Sequence, residues 1–263
     1  SIVSTLAWGL GYFGMPHILL RFMAAEEADK LSVSRRIATV WVVISMFIAV
    51  FIGIIGYSVS AAGKLPFLTT SSDAETIIIR LSSLMSHYGL LLAIAAGVIL
   101  SGILAATMST SDSQLLAAAS SVSQDLLQDF FRIQLTPKGT MLAARGTVVA
   151  IALVGVFLAW DPNSSVFRVV SFAWAGFGAS FGPLMLFSLF WKRANKWGAL
   201  AGMVTGSVMV FVWKYLIAPM GGAWAIYELL PAFLCACVAI VAVSLLTPAP
   251  DRDVIETYEA CRK

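Results

Sequence analysis

Seven stretches of the chain are apolar and long enough to cross a bilayer, at about 2–20, 37–62, 89–117, 140–160, 165–191, 197–218 and 226–246. Each lies near the roughly 20 residues that a spanning helix needs. Short polar loops join them, with one longer connection at 63–88. Within it, apolar residues recur at near-helical spacing, which predicts a single amphipathic helix over about 73–87 on the extracellular side, lying at the interface. No boundary of a soluble domain is visible, and the pattern predicts an all-α integral membrane protein.

The basic residues orient these segments. Arg21, Lys30, Arg35 and Arg36 follow the first segment; Arg132, Lys138 and Arg145 follow the third. Lys192, Arg193 and Lys196 follow the fifth, and Arg252, Arg262 and Lys263 lie in the tail. The alternate loops hold only Lys64, Arg80, Arg168 and Lys214 of the 17 Lys and Arg. Loops rich in Lys and Arg stay in the cytoplasm. The first segment therefore enters from outside, and the C-terminus is predicted to be cytoplasmic.

Composition agrees with this reading and narrows it. Of 263 residues, 59% are hydrophobic and 12% charged, against roughly 25% charged in soluble domains. A net charge of +3 without any basic run offers no footprint for nucleic acid. Cys235 and Cys237 sit in an apolar run with no His or Cys partner nearby and read as small packing residues rather than metal ligands, and Cys261 is an odd third thiol. The two histidines, His17 and His87, have no carboxylate at a readable spacing. The H-E-x-x-H, G-x-S-x-G and phosphate-loop patterns do not occur, so an enzyme is not expected. The start of the chain has no basic stretch typical of a signal peptide, and the chain reads as an excerpt.

The first segment, WGLGYFGMPHILLRF (Trp8–Phe22), places Gly9, Gly11, Gly14 and Pro16 where lipid would demand a helix. Each glycine lowers helix propensity by about 1 kcal/mol relative to Ala, and Pro16 removes a donor. Backbone groups freed in lipid are tolerated only when buried in protein or lining a cavity. One reading is a discontinuous helix presenting dipoles and aromatics to a small solute; the other is a kinked structural helix. Trp8, Tyr12 and Pro16 are spaced i, i+4, i+8, so a surviving helix would place them on one face.

The third segment carries SGILAATMSTSDSQLL. Hydroxyls of Ser109 and Thr110 lie three and four residues after Ala106, so they and its carbonyl could reach one point, as a hard cation requires. The alternative is back-bonding of Ser and Thr to the i−4 carbonyl. Asp112 favours the functional reading, because ionisable groups in spanning segments are functional by default; the alternative is a place low enough to meet cytoplasmic water, where it pairs with a basic loop residue. The fifth segment, SFAWAGFGASFGP, is suited equally to a gate or to close packing. Gly198, Gly202 and Gly206 in the sixth are spaced to let a neighbouring helix approach closely.

WGLGYFGMPHILLRFMAA, AATMSTSDSQLL, SFAWAGFGASFGP and GALAGM, in that order over nearly the whole chain, resemble the sodium/solute symporter family, above all its bacterial proline-transporting members. The resemblance implies a LeuT-type fold of two inverted five-helix repeats. Residues 1–191 correspond to the second repeat, with its broken helix at 1–22; 192–246 hold two trailing transmembrane helices, and 247–263 a cytoplasmic tail. It implies solute contacts at Trp8, Tyr12 and Pro16, and a sodium site using the Ala106 carbonyl and the Ser109 and Thr110 hydroxyls. Some relatives hold a further cation at positions matching Asp112 and Ser113. Met15 departs from the glutamine of the proline-transporting pattern, which leaves the exact solute open. The implied function is sodium-coupled uptake of a small amino acid, with L-proline as the first candidate, by alternating access in the bacterial inner membrane. Na⁺ is the coupling ion and no organic cofactor is implied. The family's first repeat, which supplies the remaining ligands, is absent from these residues, so the chain alone is expected not to transport. The alternatives are a symporter for another small solute, the membrane sensor of a symporter-like histidine kinase, and a seven-helix receptor.

Overall fold

A computed structural model of the chain describes residues 2–27, 29–160 and 165–260. Ser1, Cys261, Arg262, Lys263 and the Arg21 side chain lie outside the described residues, so the part of the three basic residues in the charge pattern rests on sequence alone. Among the described residues every regular element is helical. Six helices there are long and apolar enough to cross a membrane. They are α3 (Lys30–Ala61), α6 (Leu90–Ser120, continued by a π-helical stretch Ser121–Phe130), α7 (Pro137–Leu158), α8 (Val166–Phe190), α9 (Lys196–Val212, continued by a π turn Trp213–Ile217) and α10 (Leu229–Leu246). The predicted first segment is absent from this set because it is broken. It runs as α1 (Ile2–Ala7), a 3₁₀ helix (Trp8–Gly14), an extended residue at Met15, and α2 (Pro16–Met23).

The single amphipathic helix expected over about 73–87 is replaced by two, α4 (Ser71–Glu75) and α5 (Ile77–Ser86). Polar side chains make the joint, and apolar spacing carries no trace of them. Thr70 accepts a hydrogen bond from Asp73 N at 3.1 Å and so caps α4. Thr76, between the helices, donates to the Asp73 carbonyl at 2.7 Å and accepts from Arg80 Nε at 2.8 Å. The Arg80 guanidinium then reaches Asp73 Oδ1 at 2.9 Å. Helix starts elsewhere are written in the sequence. Thr136 caps α7 through Gly139 N with Pro137 in its first turn, and Asn195 caps α9 through Gly198 N at 2.8 Å. A short helix α11 (Arg252–Ala260) ends the described chain.

The chain divides into two compact units, Ser1–Ala25 with Phe167–Lys263, and Glu26–Val166. In the first, Ala175, Ala179, Val210, Leu229, Ala232 and Phe233 form a buried core. Small residues bring its helices together. A Cβ on Gly198 would overlap the Ser244 side chain, one on Gly202 the Ile240 side chain, and one on Gly206 the Ala179 carbonyl. That carbonyl has lost its helical donor, because Pro183 stands four residues on and has no N–H. Close packing is therefore what the glycine face of α9 does. Cys235 and Cys237 are half-buried free thiols on α10.

In the second unit, α5 packs against α3 and α6, and α6 against α7. Glu75 accepts from Ser165 Oγ at 2.7 Å and from Val166 N at 3.1 Å. The apolar windows of α3 and α7 bury none of their residues within the chain, and that of α6 almost none. Apolar faces of this size are stable against lipid or further protein and not against water.

Candidate functional site

The break in the first segment is built on direct backbone contact with α8. A Cβ on Gly14 would strike the Phe177 carbonyl and come within 2.9 Å of Gly178 Cα; one on Gly178 would come within 2.7 Å of Gly11 Cα. A Cβ on Gly182 would meet the Phe233 ring at 2.8 Å. The glycines of SFAWAGFGASFGP are thus used, at 178 and 182, for close packing; Gly176 faces open space. A continuous helix is impossible across Pro16, which has no N–H to return to Tyr12 O; Met15 N takes that carbonyl at 3.5 Å instead. Met15 turns extended, with φ −86° and ψ 113°, and Pro16 opens α2 in the position that tolerates it.

This geometry changes the expected arrangement of the aromatic candidates. At about three residues per turn, positions four apart in a 3₁₀ helix point roughly 120° from one another. Trp8, Tyr12 and Pro16 therefore do not share a face as an α-helix would arrange them. Trp8 and Tyr12 are instead brought together by a third residue, Trp174. Its ring stacks on Trp8 with centroids 5.5 Å apart and planes 14° from parallel, and it meets Tyr12 edge-on at 4.9 Å and 84°. Its Nε1–H donates to the Trp8 carbonyl at 3.0 Å. Phe167 and Tyr227 also stack on Trp8, at 5.4 and 5.8 Å. Tyr227 stands in the loop before α10; its hydroxyl donates to the Ser171 carbonyl at 2.6 Å. Burial, and then the Glu228 carboxylate beside it, push its phenol above the usual tyrosine range, so it remains a proton donor. Tyr12 and Pro16 are exposed, while Trp8 is half-buried.

Trp174 and Tyr227 escaped the sequence reading. Trp174 and Trp8 lie 166 residues apart, and no periodicity links them. The one available signal was a tryptophan set among the small residues of α8, a ring with room for a backbone beside it.

The cation candidates lie in the other unit, on α6. Thr110 Oγ1 donates to the Ala106 carbonyl at 3.1 Å, and Ser113 Oγ to the Ser109 carbonyl at 3.1 Å. These are the i−4 back-bonds named above, and they bring two of the three expected oxygens to one place. Ser109 stands one position earlier in the same turn, and its side chain, like that of Thr110, is exposed. Two oxygens so placed can both touch a hard cation once the hydroxyl proton turns away, since such ions take oxygen ligands. Asp112 and Ser113 follow within one turn, also exposed. At 1.5 Å per residue, Asp112 lies about 33 Å along α6 from Leu90, close to the roughly 30 Å depth of a hydrocarbon core.

The sodium:solute symporter family matches residues 1–206 of the chain. A sodium/proline symporter of Haemophilus influenzae is 40% identical over 263 residues, all of this chain and 51% of that protein. A high-affinity proline transporter of Bacillus subtilis is 42% identical over 258 residues, 98% of this chain and 52% of its own length. A sodium/proline symporter of Escherichia coli is 40% identical over 250 residues, 95% of this chain and 48% of its own length. The chain spans about half the length of the curated relatives it matches. No solved structure gives a significant match.

Proposed function

The chain belongs to the sodium:solute symporter family, a family of transporters and not of enzymes, and from that premise we propose that it forms part of a sodium-coupled symporter for L-proline. The observation that carries the solute class is the match, at about 40% identity along the whole chain, to proteins named as proline transporters. In this reading residues 1–191 are the second inverted repeat of a LeuT-type fold, followed by two trailing helices and a cytoplasmic tail, in the inner membrane of a bacterium.

Each site then has a role. The 3₁₀ break from Trp8 to Met15 leaves backbone dipoles and the exposed Tyr12 ring beside a solute of amino-acid size, with Trp8 as a second wall and Pro16 holding the turn. Ala106, Ser109 and Thr110 supply three oxygens to a sodium ion, and Asp112 with Ser113 supplies a further cation position. Three oxygens do not complete the shell of a dehydrated ion, so the remaining ligands come from outside the two units described here. Sodium that bridges α6 to those ligands stabilises one state of the transporter over the other, which is how an ion biases alternating access.

The driving force is sufficient. One Na⁺ moving down about 100 mV releases roughly 2.3 kcal/mol. With a tenfold sodium gradient adding about 1.4 kcal/mol, a solute gradient of several hundredfold can be held.

The test is a graft. Residues 1–263 replace the matched half of the Haemophilus influenzae relative, and radiolabelled proline uptake is measured in vesicles from cells without other proline carriers. Sodium-dependent accumulation is the expected result. Uptake that ignores sodium, or a graft that prefers another small solute over proline, overturns the corresponding half of the proposal. The chain alone in proteoliposomes is expected to accumulate nothing.

A further inference from the structure

Resting on the reading of Trp8 and Tyr12 as solute-facing walls, we propose that Trp174 is the positioning residue of the broken segment. One side chain on α8 fixes where both walls stand. Three independent contacts carry this inference. The indole donates to the Trp8 carbonyl at 3.0 Å, stacks on the Trp8 ring at 5.5 Å, and abuts the edge of Tyr12 at 4.9 Å. A fourth observation bears on the register, because a Cβ on Gly11, which lies between the two walls and next to Tyr12, would overlap the Trp174 ring. The indole therefore admits only a glycine at position 11.

The segment needs such a support. Its 3₁₀ bonds are poorer than those of an α-helix, and runs beyond three or four residues are uncommon; this one extends over seven. Trp174 is itself held firmly. It packs against the core formed by Ala175, Ala179 and Leu229 on α8 and α10. A rigid helix thus transmits its position to a segment that has little rigidity of its own. Misplacement of a binding group by about 1 Å can cost as much as 10²-fold in function.

The indole N–H and the ring can be tested separately. Benzothienylalanine at position 174 keeps size and stacking and removes the N–H, whereas Trp174→Phe removes the N–H and part of the ring. The first readout is made on the purified chain, with a nitroxide on Gly9→Cys in a background lacking Cys235, Cys237 and Cys261. A Cβ at Gly9 meets nothing within 4 Å, so the label leaves the backbone into open space and reports segment mobility. Both variants are expected to narrow its spectrum, with the unfolding midpoint of the benzothienyl variant close to that of the parent. The second readout is the graft described above, in which Trp174→Phe is expected to raise the half-saturating solute concentration about tenfold. Maximal rate and half-saturating sodium should stay within about twofold, a split that general loss of folded protein does not produce. An unchanged spectrum overturns the positioning role. A narrowed spectrum with unchanged solute half-saturation overturns the claim that this position matters to the solute. If the graft with Trp174 intact does not take up proline, the functional reading fails and the spectrum alone decides the positioning role.

Discussion

Gly14 lies directly against the backbone carbonyl of Phe177, with no space for a Cβ between them. The three nearest atoms, the Phe177 carbonyl oxygen, Gly178 Cα and Gly182 N, are all backbone, so no flexible side chain among them can yield. Gly14→Ala is therefore expected to separate the 3₁₀ segment from α8 and lower stability by about 1–3 kcal/mol, the usual cost of overpacking. Gly9→Ala, five residues away in the same segment, has open space and should be neutral or slightly stabilising, through better helix propensity. Thermal unfolding of the two detergent-solubilised variants side by side checks this. Equal midpoints would remove the packing explanation for the glycines of the break.

The α9–α10 interface holds one buried hydroxyl without a partner among the described residues, Ser244 Oγ, placed against Gly198. A buried hydroxyl left unpaired costs about 1–3 kcal/mol. Ser244→Ala should raise the unfolding midpoint by a few degrees, while Gly202→Ala, whose Cβ would overlap Ile240, should lower it. Ile240→Val is expected to recover part of the Gly202→Ala loss, so the double mutant should be more stable than the two single effects sum to. A midpoint for Ser244→Ala below that of the parent would mean that the hydroxyl has a partner.

The long apolar helices were legible because hydrophobic length is a one-dimensional property, and α6, α7 and α8 begin and end within a few residues of expectation. The α3 start moved back to Lys30 because charged residues can extend a helix beyond the bilayer without any change in hydropathy. The break at Trp8–Met15 was legible from its glycines and Pro16, since lipid forbids freed backbone groups without a partner. Its internal geometry was not, because α-helical spacing does not describe a 3₁₀ path. The role of Trp174 was hidden for another reason: its partners lie at the far end of the chain, and only the folded core brings them together. On α6 the sequence named the Ala106 carbonyl and the Thr110 hydroxyl, which the structure joins by a hydrogen bond, but could not choose between a cation and a back-bond; both use the same Thr110 hydroxyl.

Asn195 joins the start of α9 to the end of α10. Its side-chain oxygen caps α9 at Gly198 N, and its amide nitrogen donates to Thr247 Oγ1 and to the Pro248 carbonyl, each at 2.7 Å. Arg193 adds a donor to the Thr247 carbonyl at 2.7 Å. Loss of a cap costs about 0.5–2 kcal/mol, and the two lost donations to part-buried acceptors at the α10 end add to that. Asn195→Ala is expected to cost about 2 kcal/mol or more by these two effects. Asn195→Asp keeps the cap acceptor and loses both donations, so its unfolding midpoint should fall between those of the parent and the alanine variant. A midpoint equal to that of the alanine variant would show that the donations to the α10 end carry all of the effect.

The back-bond from Thr110 to Ala106 makes the sodium proposal testable without ambiguity. If the Thr110 hydroxyl serves only the Ala106 carbonyl, removing it relieves α6 of a contact that slightly destabilises and bends helices, and transport is untouched. If it ligates sodium, its removal takes one oxygen from a small shell. In the grafted transporter, Thr110→Ala and Ser109→Ala are each expected to raise half-saturating sodium at least tenfold, about 1.4 kcal/mol of lost ion binding. Thr110→Ser retains the oxygen on the same Cβ and should stay within about threefold of the parent. Solute half-saturation measured at saturating sodium should hardly move in any of the three, because the ion site and the aromatic walls are built from different residues. Uptake assayed over a sodium series with radiolabelled proline supplies all of these values. Unchanged sodium half-saturation in Thr110→Ala would leave this hydroxyl a structural back-bond, and the coupling ion would have to be sought elsewhere.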